Sequence, residues 1–337
     1  MSFFARLARR LDSAQRRTRV VAILFAINKK SGDDNCGALA AQLTYYGFLT
    51  LFPLLLVLVT LLGIVAGGNP SFEHRVVSSA LSQFPVIGSN SGRLSLADNI
   101  HGLRRNGVFG IAVGVLGLLW GAVGSVQSGQ HAMAQVWNVP QVDRPGFVPR
   151  TLRGLATLGI AVVFLAASIG LSSVAAFGSH VTLIVRCLEI LGSLVVDGAL
   201  MVAIFRILTP RTVTWRHLLL GAVLAGLAYG ALQIGGALLV GHELRHMSQV
   251  YGLFAIVLGA LWWIYLLARV VLYAAEANVV VARRLWPRGI IVPPLTPADI
   301  EMLQTYPRQE ERRPEVSVTA TLQSSRDARD DAEPAGP

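Results

Sequence analysis

The chain has 337 residues, of which 53% are hydrophobic and 14% are charged, and its formal net charge is +10. Soluble domains carry about 25% charged residues, whereas the apolar residues here form uninterrupted runs longer than ~18 residues, which indicate membrane-spanning helices. The composition therefore excludes a soluble enzyme and predicts an all-α integral membrane protein.

Residues 1–34 are predicted to form a basic amphipathic arm on the cytoplasmic face. Apolar residues alternate in this arm with Arg6, Arg9, Arg10, Arg16, Arg17, Arg19, Lys29 and Lys30. The pattern is typical of an interfacial helix on the inner leaflet, where cations meet anionic lipid headgroups. A signal peptide is the competing interpretation, but the apolar run 20–27 ends in Asn28-Lys29-Lys30 without a small-residue cleavage site.

Residues 35–288 are predicted to form a bundle of about six transmembrane helices. The apolar segments are 38–66, 107–127, 152–177, 181–208, 217–240 and 250–282, and each exceeds the ~20 residues that cross a bilayer. The arm, the loops after the second and fourth spans, and the tail together hold 22 basic residues, against 5 in the other loops. The positive-inside rule then places both termini in the cytoplasm. Topology accounts for the basic excess, so no nucleic-acid partner is expected.

Residues 289–337 are predicted to be a disordered cytoplasmic tail. The segment is rich in proline, and 9 acidic and 5 basic residues follow Pro297. Such a composition offers too little apolar surface to offset the entropy of folding.

Glycine and proline residues predict how the spans pack. Pairs of glycines four residues apart, which let helices approach closely in lipid, are Gly110/Gly114, Gly117/Gly121 and Gly226/Gly230. Pro53 falls in the middle of the first span and predicts a kink, because proline lacks the backbone donor. The kink either lines a cavity or is purely structural.

Ionisable residues inside the spans are the candidates for function, since each costs several kcal/mol in a bilayer. At 1.5 Å per residue, Asp197 and Arg269 lie ~24 and ~28 Å from the outer ends of the fourth and sixth spans. We expect them to form a buried ion pair at a transport site; a structural pair or a wet cleft is the alternative. Glu276 and Asn278 lie near the inner interface, where a headgroup contact or a helix-end role competes with function.

The string His242-Glu243-Leu244-Arg245-His246 matches the H-E-x-x-H pattern of zinc proteases. On a helix this spacing places two imidazoles on one face, with the glutamate as general base. It is assigned here to a short outer loop at 241–249, and no third ligand follows nearby. A membrane zinc protease is therefore a remote alternative, and we expect no metal, cofactor or enzymatic activity.

Several motifs in a fixed order carry a family resemblance. They are Ala-Ala-Gln-Leu-Thr-Tyr-Tyr-Gly-Phe-Leu-Thr-Leu-Phe-Pro-Leu at 40–54, Gln135-Val136-Trp137-Asn138, Leu-Thr-Pro at 208–210 with Thr214-Trp215-Arg216, Tyr251-Gly252, and Ala275-Glu276-Ala277-Asn278. Together they resemble the YihY/BrkB family of bacterial inner-membrane proteins, sometimes labelled ribonuclease BN-like, and its YhjD branch. The first motif departs from the usual form at Gln42 and Gly47.

The resemblance implies a six-helix inner-membrane fold, no established enzyme activity and, for some members, a part in moving lipids or other envelope components. The functional positions that it implies are Tyr45, Tyr46, Pro53, Asn138, Pro210, Tyr251, Glu276 and Asn278. Interfacial anchoring and helix capping are their structural alternatives.

We therefore expect a transporter or flippase of lipid or other envelope components in the bacterial inner membrane. A scaffold protein without transport activity, which recruits partners through its arm and tail, is the alternative. Membrane lipids are the expected partners, and a homo-oligomer is left open.

Overall fold

A computed structural model of the chain describes residues 18–65, 107–146, 148–157, 159–160, 183–209, 213–290 and 294–322, together with Asp12 and Gln15. In parts of the helices only the backbone is described, among them 52–65, 107–115, 183–191, 196–197 and 237–253. Every regular element in these ranges is helical and none is a strand, which confirms the prediction of an all-α chain.

The described α-helices are α1 Arg19–Asp33, α2 Cys36–Val65, α3 Gly107–Val136, α4 148–157 with 159–160, α5 Leu183–Leu208, α6 Leu219–Arg283 and α7 Pro297–Thr305. Short 3-10 turns occupy Gln141–Asp143, Trp215–Leu218 and Pro307–Glu310. Within the fully described part of the chain, two segments are long and apolar enough to cross a membrane, Trp215–Gln233 and Val257–Arg283. The number of six spans stays a prediction.

Helix α6 folds back on itself. Its 65 residues would extend ~97 Å as a straight rod, yet the backbone nitrogen of Gly221 lies 2.6 Å from Oδ1 of Asn278. The chain must therefore reverse direction between them, and arms of equal length would place the turn near residue ~250. This antiparallel arrangement agrees with the predicted fifth and sixth spans. The predicted loop at 241–249 falls next to this reversal, although its residues have helical backbone.

The core lies where the start of α2, the end of α3 and the second arm of α6 meet. Many of its buried residues are alanines, which allow close helix contacts, among them Ala40, Ala132, Ala134, Ala274 and Ala275. Large apolar side chains elsewhere on the predicted spans point outward instead, among them Leu116, Trp120, Val195, Leu227, Phe254 and Trp262. An apolar outer surface is what a helix bundle presents to lipid.

Helix α1 differs from the predicted basic surface helix. Val20 and Leu24 are 65% and 61% exposed, which fits an apolar face turned toward the bilayer interface, but Lys30 is completely buried. Lys29 and Lys30 both pair with carboxylates of the chain itself, Lys29 with Asp299 and Lys30 with Glu276. The arginines of residues 1–17 lie outside the described residues.

The tail from 289 onward is partly ordered, so the prediction of disorder is wrong for residues 294–310. Helix α7 begins with a capping box, in which the Thr296 hydroxyl accepts from the Asp299 backbone and the Asp299 carboxylate accepts from the Thr296 backbone. Asp299 and Met302 are buried. Composition predicted disorder because it does not show that Asp299 finds cations elsewhere in the chain. Residues 323–337 lie outside the described residues.

Candidate functional site

A cluster of three charged side chains is buried at the junction of α1, α2, α3 and α6. Lys30 Nζ lies 2.9 Å from Glu276 Oε2 and donates to Asp34 Oδ2. It also donates to the carbonyl oxygen of Val136 at 2.7 Å. The side chains of Lys30 and Glu276 are 0% exposed and that of Asp34 is 2% exposed. We call Lys30, Asp34 and Glu276 the buried charge cluster.

Local sequence explains how α1 and α2 bring their members together. Lys30 and Asp34 are four residues apart, so they lie on one face at the end of α1. Asn35 then adopts a left-handed conformation with φ 52°, which asparagine tolerates better than most residues. The chain turns there, and Cys36 starts α2 beside Glu276.

The end of α3 completes the cluster. Val136 is the last residue of α3, and its carbonyl lacks a partner within the helix, so the Lys30 ammonium satisfies it at the negative end of the helix dipole. Asn138 follows with φ 53° and places Nδ2 3.4 Å from Asp34 Oδ1. Arg283 donates to the neighbouring Trp137 carbonyl at 2.8 Å. The Gln135-Val136-Trp137-Asn138 motif at the end of α3 therefore forms one side of the cluster.

The charges of the cluster do not balance. One ammonium faces two carboxylates, so the cluster carries a net charge of −1 unless a carboxyl group holds a proton. The Cys36 thiol donates to Glu276 Oε1 at 3.2 Å, and Asn138 supplies an amide donor to Asp34. These neutral groups solvate the carboxylates without cancelling the charge. The cluster is therefore a site that can gain or lose one proton.

A second ionic network fixes the tail against α1. Asp299 Oδ1 lies 3.0 Å from Lys29 Nζ and 2.9 Å from Arg288 Nε, and Arg288 Nη1 lies 2.9 Å from Asp33. Burial raises the pKa of Asp299, but hydrogen bonds from the Gly289 backbone, Thr296, Lys29 and Arg288 outweigh it and hold this pKa well below its usual range. Asp299 is thus ionised at neutral pH.

Asn278, a predicted site residue, joins the two arms of α6. Its Oδ1 accepts from the Gly221 backbone at 2.6 Å, and its Nδ2 donates to the Leu218 carbonyl at 3.3 Å. A methyl group on Gly221 would collide with the carbonyl oxygen of Ala274. The contact is structural. It requires the side-chain amide of Asn278 and a glycine at position 221.

The aromatic residues Tyr45 and Tyr46 lie in the first half of α2. Their ring centroids are 5.2 Å apart at 77°, and Tyr45 is 57% exposed. The ring of Tyr46 covers Gly124 of α3, where any side chain would collide with it. Pro53 lies within the uninterrupted helix α2, but its side chain is outside the described residues, and the kink stays a prediction.

Arg269 lies level with the first turn of α2. A side chain at Gly37 would come 3.2 Å from Arg269 Nη1. The guanidinium donates to the Tyr273 hydroxyl at 3.0 Å and lies over the rings of Tyr273 and Tyr265. Asp197 is on α5 with its side chain outside the described residues. The Asp197–Arg269 pair therefore stays a prediction.

His242, Glu243 and His246 lie within the helical run of α6, and their side chains are outside the described residues. Their helical backbone differs from the loop conformation expected for this string. Among the side chains that the structure describes, no group of three His, Cys, Asp or Glu residues could hold a metal ion. The remaining resemblance-based positions Pro210 and Tyr251 also lie outside the described side chains.

Sequence reasoning missed Lys30, Asp34 and Cys36 as partners of Glu276. The i,i+4 spacing of Lys30 and Asp34 was a usable signal for a pair. Their burial against a residue some 240 positions away had no local signal.

A chain whose described elements are all helical, with apolar segments long enough to cross a bilayer and ionised residues at their ends, is of the integral membrane class. The family model described as Virulence factor BrkB matches residues 27–289, and the chain belongs to this family. A curated UPF0761 membrane protein of Alteromonas mediterranea is 27% identical over 257 residues, which cover 74% of this chain and 83% of that protein. No solved structure matches the chain. The family resemblance read from the motifs is thus confirmed.

Proposed function

We propose that the chain is a transporter that moves an amphipathic envelope component across the bacterial inner membrane, and that the buried charge cluster exchanges a proton during the cycle. The observation that supports it is the complete burial of Lys30 and Glu276 at the meeting point of four helices. The amphipathic cargo is what the family resemblance implies for some members. The name of the Alteromonas relative states no cargo.

The energetics of burial favour function over structure for this cluster. Each buried ion loses several kcal/mol of hydration, and well-packed apolar residues often stabilise the same junction equally well or better. A junction that served packing alone would not need three charges. Ionisable residues inside membrane-spanning segments commonly mark proton relays and substrate pathways.

A proton on the cluster would change the contacts between helices. Protonating Glu276 removes its attraction to Lys30 and leaves the ammonium to Asp34 and the Val136 carbonyl, which lie on α1 and α3. The second arm of α6 would then be held less tightly to α1. Loss of the proton restores the ion pair, so the cluster is a two-state element that a pH gradient can bias.

The test compares the Glu276→Gln and Glu301→Gln variants in proteoliposomes. Glu301 is exposed on α7 and serves as the matched control. The assay follows dithionite quenching of NBD-labelled phosphatidylglycerol with and without a pH gradient. Wild type and Glu301→Gln should flip the probe faster with the gradient, whereas Glu276→Gln should lose this response. A wild-type chain without any gradient-dependent flipping would contradict the proposal.

One observation supports the scaffold alternative. The tail is held to the rest of the chain through Asp299, and exposed charged residues follow α7. Deleting residues 1–30 or 298–337 would not discriminate, because Lys30 and Asp299 are part of the buried networks. Deleting 323–337 leaves every described contact in place. A scaffold that recruits through this tail should lose its partners in that variant, whereas a transporter should keep its activity.

A further inference from the structure

We infer that a cavity between the end of α3 and the start of α4 binds the phosphate of an anionic phospholipid headgroup. The cavity has a volume of about 60 Å³ and is open on one side, and its walls include Gln130, His131, Arg144, Arg150, Arg153 and Leu208. It lies on the side that the arginine distribution predicts to be cytoplasmic, so the lipid would belong to the inner leaflet. The inference does not rest on the proposed transport activity.

The cavity concentrates positive charge without a counterion. Among the described residues, none of its three arginines has a carboxylate within ion-pair distance. Arg144 donates to Gln135 Oε1 at 2.8 Å and to the Val139 carbonyl, and Arg150 donates to the Gln127 carbonyl at 2.9 Å. These acceptors are neutral, so they orient the guanidinium groups and leave their charge uncompensated. Glu310 attracts Arg144 only from beyond ion-pair distance.

Arg153 brings donors to the cavity that no described residue uses. Its side chain makes no hydrogen bond or ion pair with any residue in the described parts of the chain. Arg150 and Arg153 both lie in the first two turns of α4, where the positive end of the helix dipole adds to their charge. Basic pockets between membrane helices on the cytoplasmic side are a known form of lipid headgroup site.

His131 contributes a neutral donor. Burial, together with Arg144 and Arg150, lowers the pKa of His131, so the ring is uncharged at neutral pH. Nη1 of Arg144 lies 3.3 Å from His131 Nδ1. Because a guanidinium can only donate, Nδ1 must accept and the ring carries its hydrogen on Nε2. That N–H is available to a phosphate oxygen.

Gln130 points to a headgroup that also carries a donor. The residue is 8% exposed, and its Nε2 donates to the Arg150 carbonyl at 3.1 Å. Its Oε1 is buried and accepts no hydrogen bond from the described residues. A buried acceptor without a partner is costly. A hydroxyl next to the phosphate, as in phosphatidylglycerol, would satisfy it.

An apolar stripe beside the cavity favours a lipid over a soluble phosphate. Val148, Leu152 and Leu155 are 65%, 62% and 44% exposed, and their spacing places them on one face of α4. Gly154 lies on another face, packed against Val126 of α3. Acyl chains could run along the stripe while the phosphate enters the cavity. A soluble anion would leave the stripe unused.

The experiment titrates the purified full-length chain with dioctanoyl-phosphatidylglycerol and measures binding by native mass spectrometry. Arg153→Gln should weaken binding about tenfold or more, the effect of losing a charge-assisted hydrogen bond. The matched control is Arg216→Gln, which removes an exposed arginine outside the cavity and should change affinity less than about twofold. Dioctanoyl-phosphatidylcholine, whose headgroup lacks a donor, should bind more weakly than phosphatidylglycerol.

A second variant separates the lipid from free phosphate. Leu152→Gln keeps all three arginines, so it should weaken phosphatidylglycerol binding and leave the binding of inorganic phosphate unchanged. Inorganic phosphate that binds as tightly as the lipid would overturn the assignment to a lipid. Equal losses in Arg153→Gln and Arg216→Gln, or no loss in either, would overturn the site itself. A chain inactive in flipping should still bind the lipid.

Discussion

Replacing Lys30 by methionine should destabilise the chain strongly. The substitution keeps the length of the side chain but leaves the carboxylates of Asp34 and Glu276 buried without their cation. Removing one partner of a buried ion pair costs about 3–5 kcal/mol. At roughly 2–4 °C per kcal/mol, the melting temperature should fall by about 6–20 °C.

The neighbouring lysine gives the control. Lys29 is also ion-paired, with Asp299, but 24% of its side chain is exposed, and after its substitution the buried Asp299 carboxylate keeps Arg288 as its cation. Lys29→Met should cost no more than about 1 kcal/mol. Melting followed by intrinsic tryptophan fluorescence in a mild detergent compares the two variants directly.

A double variant tests the pairing itself. Combining Lys30→Met with Glu276→Gln removes the cation together with one of the two carboxylates that it neutralises. The loss in the free energy of unfolding should therefore be smaller than the sum of the single losses by about 1–3 kcal/mol. Additive losses would refute a direct pair. Equal melting temperatures for Lys30→Met and Lys29→Met would refute the burial argument.

Three further outcomes are expected. Asp299 has a lowered folded-state pKa, so its stabilisation is present above the unfolded value of about 3.9 and declines as the pH falls below it. The protection of the α7 amides, measured relative to their intrinsic exchange rate at each pH, should be the same at pH 7 and 5 and decrease below about pH 4. Gly221→Ala should cost about 1–3 kcal/mol in thermal unfolding because its methyl group meets Ala274, whereas Gly230→Ala, with open space around it, should be neutral or stabilising. Asn138→Ala should cost about 1–2 kcal/mol, since it strains a left-handed position and removes a donor to the cluster, and Asn138→Gly should recover part of that loss.

The sequence was sufficient for the features that local composition determines. Uninterrupted apolar runs predicted helices, and α2 begins within two residues of the predicted first span. The ordered motifs predicted the family. Signals of this kind lie within one window of the chain, so no knowledge of distant partners is needed.

Burial of charge could not be predicted because it depends on partners far along the chain. Lys29 and Lys30 are adjacent and chemically identical, yet one is 24% exposed and the other 0%. Glu276 was expected near the inner interface, with a headgroup contact or a helix-end role as the alternative to function, and its partner in the structure is Lys30. Which of two lysines turns inward is decided by where α3 and α6 pack.

The tail shows the same limit of sequence-based prediction, here for order instead of burial. Its average composition is that of a disordered segment, yet a single residue, Asp299, collects several donors from three separate stretches of chain. One local signal was available, the Thr296-Pro297-Ala298-Asp299 start, which is typical of a capped helix. Averaging over the whole tail obscured it.

The distance in sequence between Cys36 and Glu276 has a consequence for synthesis. The contact joins residues 240 positions apart, and at ~5–20 residues per second a ribosome needs ~12–48 s to make the chain between them. During that interval the ammonium of Lys30 can pair with Asp34, four residues away, but Glu276 is not yet present, and water hydrates the rest of the ammonium. The first helix should therefore wait in water at the membrane surface and dock only after the final span has been inserted.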